Sequence, residues 1–140
     1  MGKILGIDPG LAATGVGIVS GRGVAIDGYS FGCIQTSQST SLPRRLEHIF
    51  THILQLLSTE APDLVVVEDV FSLKKYPKSG IFLGQVSGVV LLACARAGLR
   101  SFAVPVREAK QVLTGNGNAS KSQLEAAVRR CIGHPSPIRP

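Results

Sequence analysis

Two carboxylates that close apolar, β-branched runs are the residues of this sequence best placed to do chemistry. Asp8 ends the run over residues 4–7, and Glu68 ends the run over residues 64–67. If these runs are neighbouring strands, the two carboxylates form half of a divalent-metal site, because Mg²⁺ takes one or two protein carboxylates and completes its shell with water and phosphate oxygens. Two such ions can activate water and stabilise the leaving oxygen of a phosphodiester. Metal-dependent phosphodiester hydrolysis is therefore one chemistry that this pattern could support.

Two plainer interpretations of the same residues stay open at this point. Asp8 precedes Pro9-Gly10, and Asp followed by Pro-Gly initiates turns in any protein. Glu68 and Asp69 together could be a solvated strand end. Asp69 also competes with Glu68 as a ligand, but consecutive strand residues point to opposite faces, so only one of them can face Asp8.

The elements around these carboxylates predict a mixed α/β sheet of five strands. Glycine-spaced apolar residues over 13–19 form a hairpin with the first strand, and a third strand is expected over 24–36. There follow a helix between Pro43 and Ala61, a strand over 64–69, a helix over 81–97, a strand over 99–104, a short helix through Lys110 and a helix over 120–132. Three antiparallel strands and then parallel ones, with helices on both faces, allow the first and fourth strands to lie side by side. We expect Asp8 and Glu68 to meet at their carboxyl ends, where open α/β sheets bind ligands.

The composition favours one globular domain with a polyanionic partner. Of 140 residues, 44% are hydrophobic, and the net charge of +6 corresponds to a pI near 9.7. No signal-peptide pattern precedes the first strand and no apolar run is long enough for a bilayer, so a cytoplasmic protein without a membrane partner is expected. Cys33, Cys94 and Cys131 form no Cys-x-x-Cys pair, and we expect buried thiols in a reducing compartment.

A basic segment that starts with an aromatic residue follows the fourth strand. It contains Phe71, Lys74, Lys75 and Lys78. An aromatic ring beside cations suits single-stranded or splayed DNA, because the ring stacks on a base while the lysines meet phosphates. Core packing of Phe71 and a solvated loop for the lysines are the alternatives, and we favour DNA contact for both.

A glycine-rich loop precedes the last helix. Residues 115–122 fall one glycine short of a Walker phosphate loop and follow a helix instead of a strand, so ATP binding is not expected. Ser120 and Gln123 predict a capping box, and the N-terminus of such a helix can hold a DNA phosphate with Lys121 beside it.

Two further patterns have a structural and a functional interpretation. His48 and His52 have the spacing of two zinc ligands on a helix, but no third ligand is near in sequence and exposed positions are expected. The helix over 81–97 is apolar almost all round, so it is either sandwiched in the core or shared with a second subunit. Gly84 and Gly88 would allow close approach in either case.

Four blocks of the sequence recur in an order shared with one known family. They are DPGLAATGVG at 8–17, PDLVVVEDVF at 62–71, LGQVSG at 83–88 and KQVLTGNGNASKSQ at 110–123. Together they closely resemble the RuvC family of bacterial Holliday junction resolvases. The resemblance implies a ribonuclease H-like fold, a homodimer, dependence on Mg²⁺ or Mn²⁺, and paired nicks in opposite strands of a four-way DNA junction during recombination and repair. It also implies a branch-migration helicase complex as a partner.

The same resemblance implies roles for individual residues. Asp8 and Glu68 match the first two metal-binding catalytic carboxylates, in a site that holds two ions when complete. Phe71 matches the aromatic residue that stacks on a base near the crossover. Lys110 and Lys121 match basic residues that contact the region of the scissile phosphate.

One part of the family pattern lies beyond the sequence. The family has two further carboxylates in a D-x-x-D-A pattern, which should follow the proline-rich stretch at 134–140. Glu108 and Glu125 cannot replace these carboxylates, because both lie in predicted helices. We therefore expect a single nuclease domain over residues 1–140 without the last helix, able to bind junctions but impaired in cleavage. A catalytically incomplete junction- or DNA-binding module is the alternative. Half of an actin-like ATPase is a third interpretation, disfavoured because 140 residues leave no room for the second half.

Overall fold

The computed structural model describes residues 2–69 and 77–138, and five strands and four helices make up that part of the chain. The strands are β1 (Gly2–Asp8), β2 (Ala13–Arg22), β3 (Ala25–Gln35), β4 (Leu64–Asp69) and β5 (Ser101–Pro105). The helices are α1 (Leu42–Glu60), α2 (Pro77–Arg96), α3 (Val106–Thr114) and α4 (Lys121–Ile132).

The strands form one mixed sheet in the order β3-β2-β1-β4-β5. β2 is antiparallel to both β1 and β3, whereas β4 is parallel to both β1 and β5. Tight turns reverse the chain within the first three strands, and helical crossovers return it in the same direction for the last two. The predicted α/β fold is thereby confirmed.

The hydrophobic core lies on one face of this sheet. Leu5 and Ile7 of β1 and Val65 and Val67 of β4 are buried there. They form one cluster with Ile49, Ile53 and Leu57 of α1 and with Val86, Val90, Ala93 and Cys94 of α2. Because side chains alternate along a strand, the residues between them lie on the other face, beside α3 and α4. That alternation keeps the strand-end carboxylates out of the core.

Helix α2 is buried on one side only. Val86 and Val90 are fully buried, whereas Ile81 is 62% exposed and Leu92 is 59% exposed. The core therefore accounts for half of this apolar helix, and its other side is an uncovered apolar surface. In residues 2–69 and 77–138, neither α2 nor any other helix combines the length and apolarity needed to cross a membrane.

Two helices are longer than the sequence pattern predicts. α2 begins at Pro77, a position compatible with a first helical turn, and α3 continues past Lys110 until Gly115 adopts a left-handed conformation with φ of 77°. The capping box of α4 is confirmed: Ser120 Oγ accepts from the N–H of Gln123, and Gln123 Oε1 accepts from the N–H of Ser120.

The three cysteines are free, and the expectation that all are buried is wrong. Cys94 is buried in the core, but Cys33 is only half-buried and Cys131 is exposed. Cys33 lies on β3, an edge strand whose residues are more exposed than those at the centre of the sheet. Cys131 lies near the end of α4, an amphipathic helix whose buried residue is Ala127.

Substituting one buried valine and one exposed valine tests the assignment of the core. Val65 has no exposed surface, whereas Val24, in the turn between β2 and β3, is fully exposed. We expect Val65→Ala to lower the free energy of unfolding by about 2–3 kcal/mol, because buried methyl groups are lost and a cavity is left. The matched Val24→Ala should change it by less than about 0.5 kcal/mol. Urea denaturation measures both, and equal losses would contradict the assignment.

Candidate active site

The register of β1 and β4 brings Asp8 and Glu68 together. Ile7 pairs with Val67 in the parallel ladder, so the next residue of each strand lies at the same level and on the same face. The two carboxyl groups are close enough to share a hydrogen bond when one of them is protonated. Asp69, one residue further along β4, lies on the opposite face by the same alternation. The structure therefore joins the two carboxylates that the sequence selects.

The surroundings of Glu68 favour its protonated form. Partial burial contributes most, followed by the hydrogen bond to Asp8 and the negative charge of Asp8, and together they raise the pKa of Glu68 from 4.5 to about 7. The positive charges of Lys121 and Lys110 lower that pKa and oppose the rise. A cation bound between the carboxylates would relieve the same repulsion. Positive charge near Asp8 and Glu68 therefore stabilises the ionised form of this carboxylate pair.

A tightly bonded turn fixes the position of Asp8. The buried Thr14 donates from Oγ1 to the carbonyl of Gly10 at 2.7 Å and accepts from the N–H of Gly10 at 3.3 Å. A Cβ atom on Gly10 would collide with the carbonyl oxygen of Ala13, so the turn needs glycine. Gly15 pairs with Asp8 across the hairpin and leaves space beside its carboxylate. The Asp-Pro-Gly turn therefore both reverses the chain and presents the carboxylate.

Two of the predicted basic residues lie within electrostatic reach of the carboxylates. Lys110 of α3 and Lys121, the first residue of α4, both act on Glu68. Lys78 is exposed in the first turn of α2. The predicted DNA-contacting residues Phe71, Lys74 and Lys75 lie outside the described residues.

The carboxylate pair fits a hard divalent cation. Asp8 is exposed and Glu68 is half-buried, and both line a cleft of about 450 Å³ whose other walls are largely apolar. Within residues 2–69 and 77–138, no three His, Cys, Asp or Glu side chains come together to hold a metal. Two carboxylates suit Mg²⁺, which keeps several waters and binds substrate phosphates, whereas a structural Zn²⁺ site needs four protein ligands.

The histidine pair belongs to another part of the molecule. His48 and His52 are exposed on α1, as the sequence predicts, with ring centroids 4.1 Å apart. Helix α1 packs on the face of the sheet opposite to the carboxylates. The histidines therefore contribute nothing to this site.

Two residues of the site are absent from the sequence-based predictions. Thr14 locks the turn after Asp8, and Gln111 forms hydrogen bonds across the loop that joins Lys110 to Lys121. Each lies in one of the glycine-rich blocks, and that is the only signal the sequence gives for either. A sequence block does not reveal which backbone groups a side chain will bond.

The fold and the site together define a class. A mixed sheet in the order β3-β2-β1-β4-β5, with carboxylates at the carboxyl ends of its parallel β1–β4 pair, defines a ribonuclease H-like nuclease. The family model "Crossover junction endodeoxyribonuclease RuvC" matches residues 4–140. The chain belongs to the RuvC family, and the resemblance seen in the sequence blocks is confirmed.

Individual relatives agree with the family model over most of the chain. The crossover junction endodeoxyribonuclease RuvC of Caldicellulosiruptor saccharolyticus is 35% identical over 132 residues, which cover 94% of this chain and 79% of that protein. The protein of the same name from Rhodopirellula baltica is 38% identical over 126 residues, covering 90% of this chain and 71% of that one. A solved structure of T. thermophilus RuvC in complex with Holliday junction substrate has a TM-score of 0.92 and 28% identity, covering 100% of this chain and 85% of that chain.

The raised pKa of Glu68 gives a test of the site by stability. The folded protein keeps the Glu68 proton up to about pH 7, whereas the unfolded chain releases it near pH 4.5. Ionised Glu68 therefore lowers the free energy of unfolding, and this loss is fully present above pH 7. In EDTA at pH 8, we expect Glu68→Gln to raise the free energy of unfolding by roughly 1–2 kcal/mol, less than the full shift implies because water screens this half-exposed group. At pH 4 most of the gain should be lost, because Glu68 is then mostly neutral in both states.

A glutamate away from the site provides the control for this measurement. Glu47 is exposed on α1 and forms a surface ion pair with Arg44. Glu47→Gln should change stability by less than about 1 kcal/mol at either pH. Thermal unfolding of both variants at pH 8 and pH 4 measures these changes in stability. A Glu68→Gln protein no more stable than its parent at pH 8 would contradict the assigned environment.

Proposed function

We propose that this protein is a crossover junction endodeoxyribonuclease that resolves four-way DNA junctions by metal-dependent hydrolysis in recombination and repair. The observation that carries the proposal is the carboxylate pair of Asp8 and Glu68, held on adjacent parallel strands in the fold of its family. The T. thermophilus relative that forms a complex with Holliday junction substrate supports the choice of DNA structure.

The proposed chemistry divides between the carboxylates and the lysines. Asp8 and Glu68 would hold Mg²⁺ or Mn²⁺, with two ions in a complete site, and the bound metal supplies an activated water and charge to stabilise the leaving oxygen. Glu68 must lose its proton to act as a ligand, and the charges of Lys110 and Lys121 favour that loss. The same lysines would attract the scissile phosphate to the carboxylates, which would otherwise repel it.

DNA binding is the second part of the proposal. The net charge of +6 favours a polyanion in general, and the two lysines beside the carboxylates give that preference a location. We assign the exposed Lys78 to the DNA backbone. Phe71, Lys74 and Lys75 carry the same assignment from the sequence pattern, with Phe71 stacking on a base near the crossover.

A homodimer is the assembly we propose. Ile81, Gly84, Gly88 and Leu92 follow one another at helical spacing on the exposed side of α2. A Cβ atom built on either glycine meets no other atom within 4 Å, so this side is open to another helix. Two copies joined by such a face would have twofold symmetry, which matches a twofold junction and two symmetric cuts.

The cellular setting follows from the proposed function. We propose that the protein acts in the cytoplasm, where the three free cysteines would stay reduced. A branch-migration helicase complex is the partner proposed for moving the junction to a cleavable position.

Neutralising each carboxylate tests the nuclease directly. With Mg²⁺ and a synthetic four-way junction, we expect Asp8→Asn and Glu68→Gln each to reduce cleavage by more than about 100-fold, because a metal ligand is lost. Junction binding should persist or tighten, since negative charge facing DNA is removed. Asp27→Asn is the matched control, because Asp27 lies on β3 near the turn at the opposite end of the sheet. Gel shifts and cleavage assays on the same samples separate the two effects.

The outcomes of that experiment discriminate between the candidate functions. Cleavage that survives both substitutions would refute the proposed site. Binding without cleavage by the parent protein itself would favour the alternative of a junction-binding module. Loss of binding and of folding in both variants would mean that the carboxylates serve the fold instead.

A charge on the exposed side of α2 tests the dimer. Ile81→Asp is expected to give a monomer by light scattering, because burying an unpaired carboxylate in an apolar interface costs several kcal/mol. Val112 of α3 is also apolar and 79% exposed but lies on another helix, so Val112→Asp should leave the oligomeric state unchanged. A parent protein that is monomeric at all concentrations, or a dimeric Ile81→Asp variant, would contradict the proposed interface.

A further inference from the structure

A single side chain ties together the glycine-rich loop between α3 and α4. Gln111, in the last turns of α3, donates from Nε2 to the carbonyl of Gly115 at 3.1 Å and accepts at Oε1 from the N–H of Gly117 at 3.0 Å. One amide group thus satisfies both a donor and an acceptor of the loop backbone. Such a pair of bonds fixes the position of the loop relative to the helix that carries the glutamine.

Other bonds hold the remainder of this loop, which we define as residues 115–120. Arg107 of α3 donates from Nη1 to Oδ1 of Asn118 at 2.7 Å, and its side chain passes so close to Gly117 that a Cβ atom there would lie 3.0 Å from Cγ of Arg107. Thr114 Oγ1 accepts from the N–H of Asn116 at 3.1 Å. The loop is thus bonded to α3 along its length despite its two glycines.

The loop lies between the two lysines whose positive charges act on Glu68. Lys110 precedes Gln111 directly, and Lys121 is the first residue of α4, immediately after the loop. The capping box at Ser120 fixes the start of α4 to the end of the loop. The conformation of the loop therefore sets where Lys121 lies relative to Lys110 and to Glu68.

We propose that Gln111 is a positioning residue, whose side-chain amide holds the α3–α4 loop so that Lys121 can reach a DNA phosphate beside Asp8 and Glu68. The proposal rests on the proposed function, since it assigns Lys121 to a phosphate of the substrate. Gln111 itself is exposed and is given no contact with the reacting atoms. Its effect is exerted through the loop and the start of α4.

The variant Gln111→Met isolates the hydrogen bonds. Methionine keeps the length and the helix propensity of glutamine but neither donates nor accepts in these positions. We expect the affinity for a synthetic four-way junction, measured in EDTA so that no strand is cut, to fall by roughly threefold to tenfold. The slope of log affinity against log salt should also become shallower by about 0.9, the value of one lost phosphate contact, although the substitution removes no charge. A general loss of stability would not produce that change of slope.

The double variant shows whether Gln111 acts through Lys121. Lys121→Ala alone should weaken binding and flatten the salt slope by the same amount, and adding Gln111→Met should then cause no further loss. Gln55→Met is the matched control, because Gln55 is exposed on α1, on the far side of the sheet from the carboxylates. It should leave both the affinity and the slope unchanged.

A second readout observes the loop without DNA. Hydrogen exchange of the Gly117 amide should accelerate by roughly tenfold in Gln111→Met and stay unchanged in Gln55→Met. Unchanged exchange would overturn the loop contact itself. An unchanged salt slope in Gln111→Met, or losses that add in the double variant, would overturn the positioning role while leaving the proposed function intact. Failure of the parent protein to bind junctions would instead refute the proposed function, and the role of Gln111 with it.

Discussion

The arrangement of the candidate active site depends on one constraint, the register of β1 and β4, which holds two acidic side chains against each other. Asp8 and Glu68 lie side by side because β1 and β4 are parallel neighbours in a fixed register, and neither strand can shift without exposing its buried residues. Leu5 and Val65 lock that register from the core side. The energy of core burial thus holds the two carboxylates together, and partial burial, followed by the hydrogen bond and the negative charge of Asp8, raises the pKa of Glu68.

Two sources of positive charge make this arrangement useful. A divalent cation between the carboxylates would remove their repulsion, and the positive charges of Lys110 on α3 and Lys121 on α4 favour the ionised form of Glu68. The lysines stand on separate helices joined by a short, heavily bonded loop. Positions on helices and strands are more rigid than positions on free loops. The lysines, which would attract a phosphate, therefore keep a fixed position relative to the carboxylates, which would repel it.

Much of the fold, and the pairing of Asp8 with Glu68, could be predicted because they follow from local sequence patterns. Alternation in β1 and β4 separates buried from exposed residues, and the lengths of the connections decide which neighbouring strands are parallel. The site residues that escaped prediction act through single side chains. Thr14 and Gln111 bond backbone groups a few residues away, and nothing in composition or periodicity specifies such partners. The same holds for His134, which lies against Tyr29, a residue distant in sequence, with 2.7 Å between Nδ1 and the phenol oxygen. The exposed side of α2 was ambiguous for a different reason, since an apolar helix looks the same whether it is covered by its own core or by another molecule.

The most direct test of the central claim is a crystal structure of this protein soaked with Mn²⁺, in which anomalous scattering locates the ion independently of any assumption about its ligands. We predict a peak bridged by the carboxylates of Asp8 and Glu68, with the remaining ligands supplied by water, and no comparable peak in crystals of the Asp8→Asn variant. A map with the two side chains turned apart, or with manganese bound elsewhere and none between them, would contradict the account.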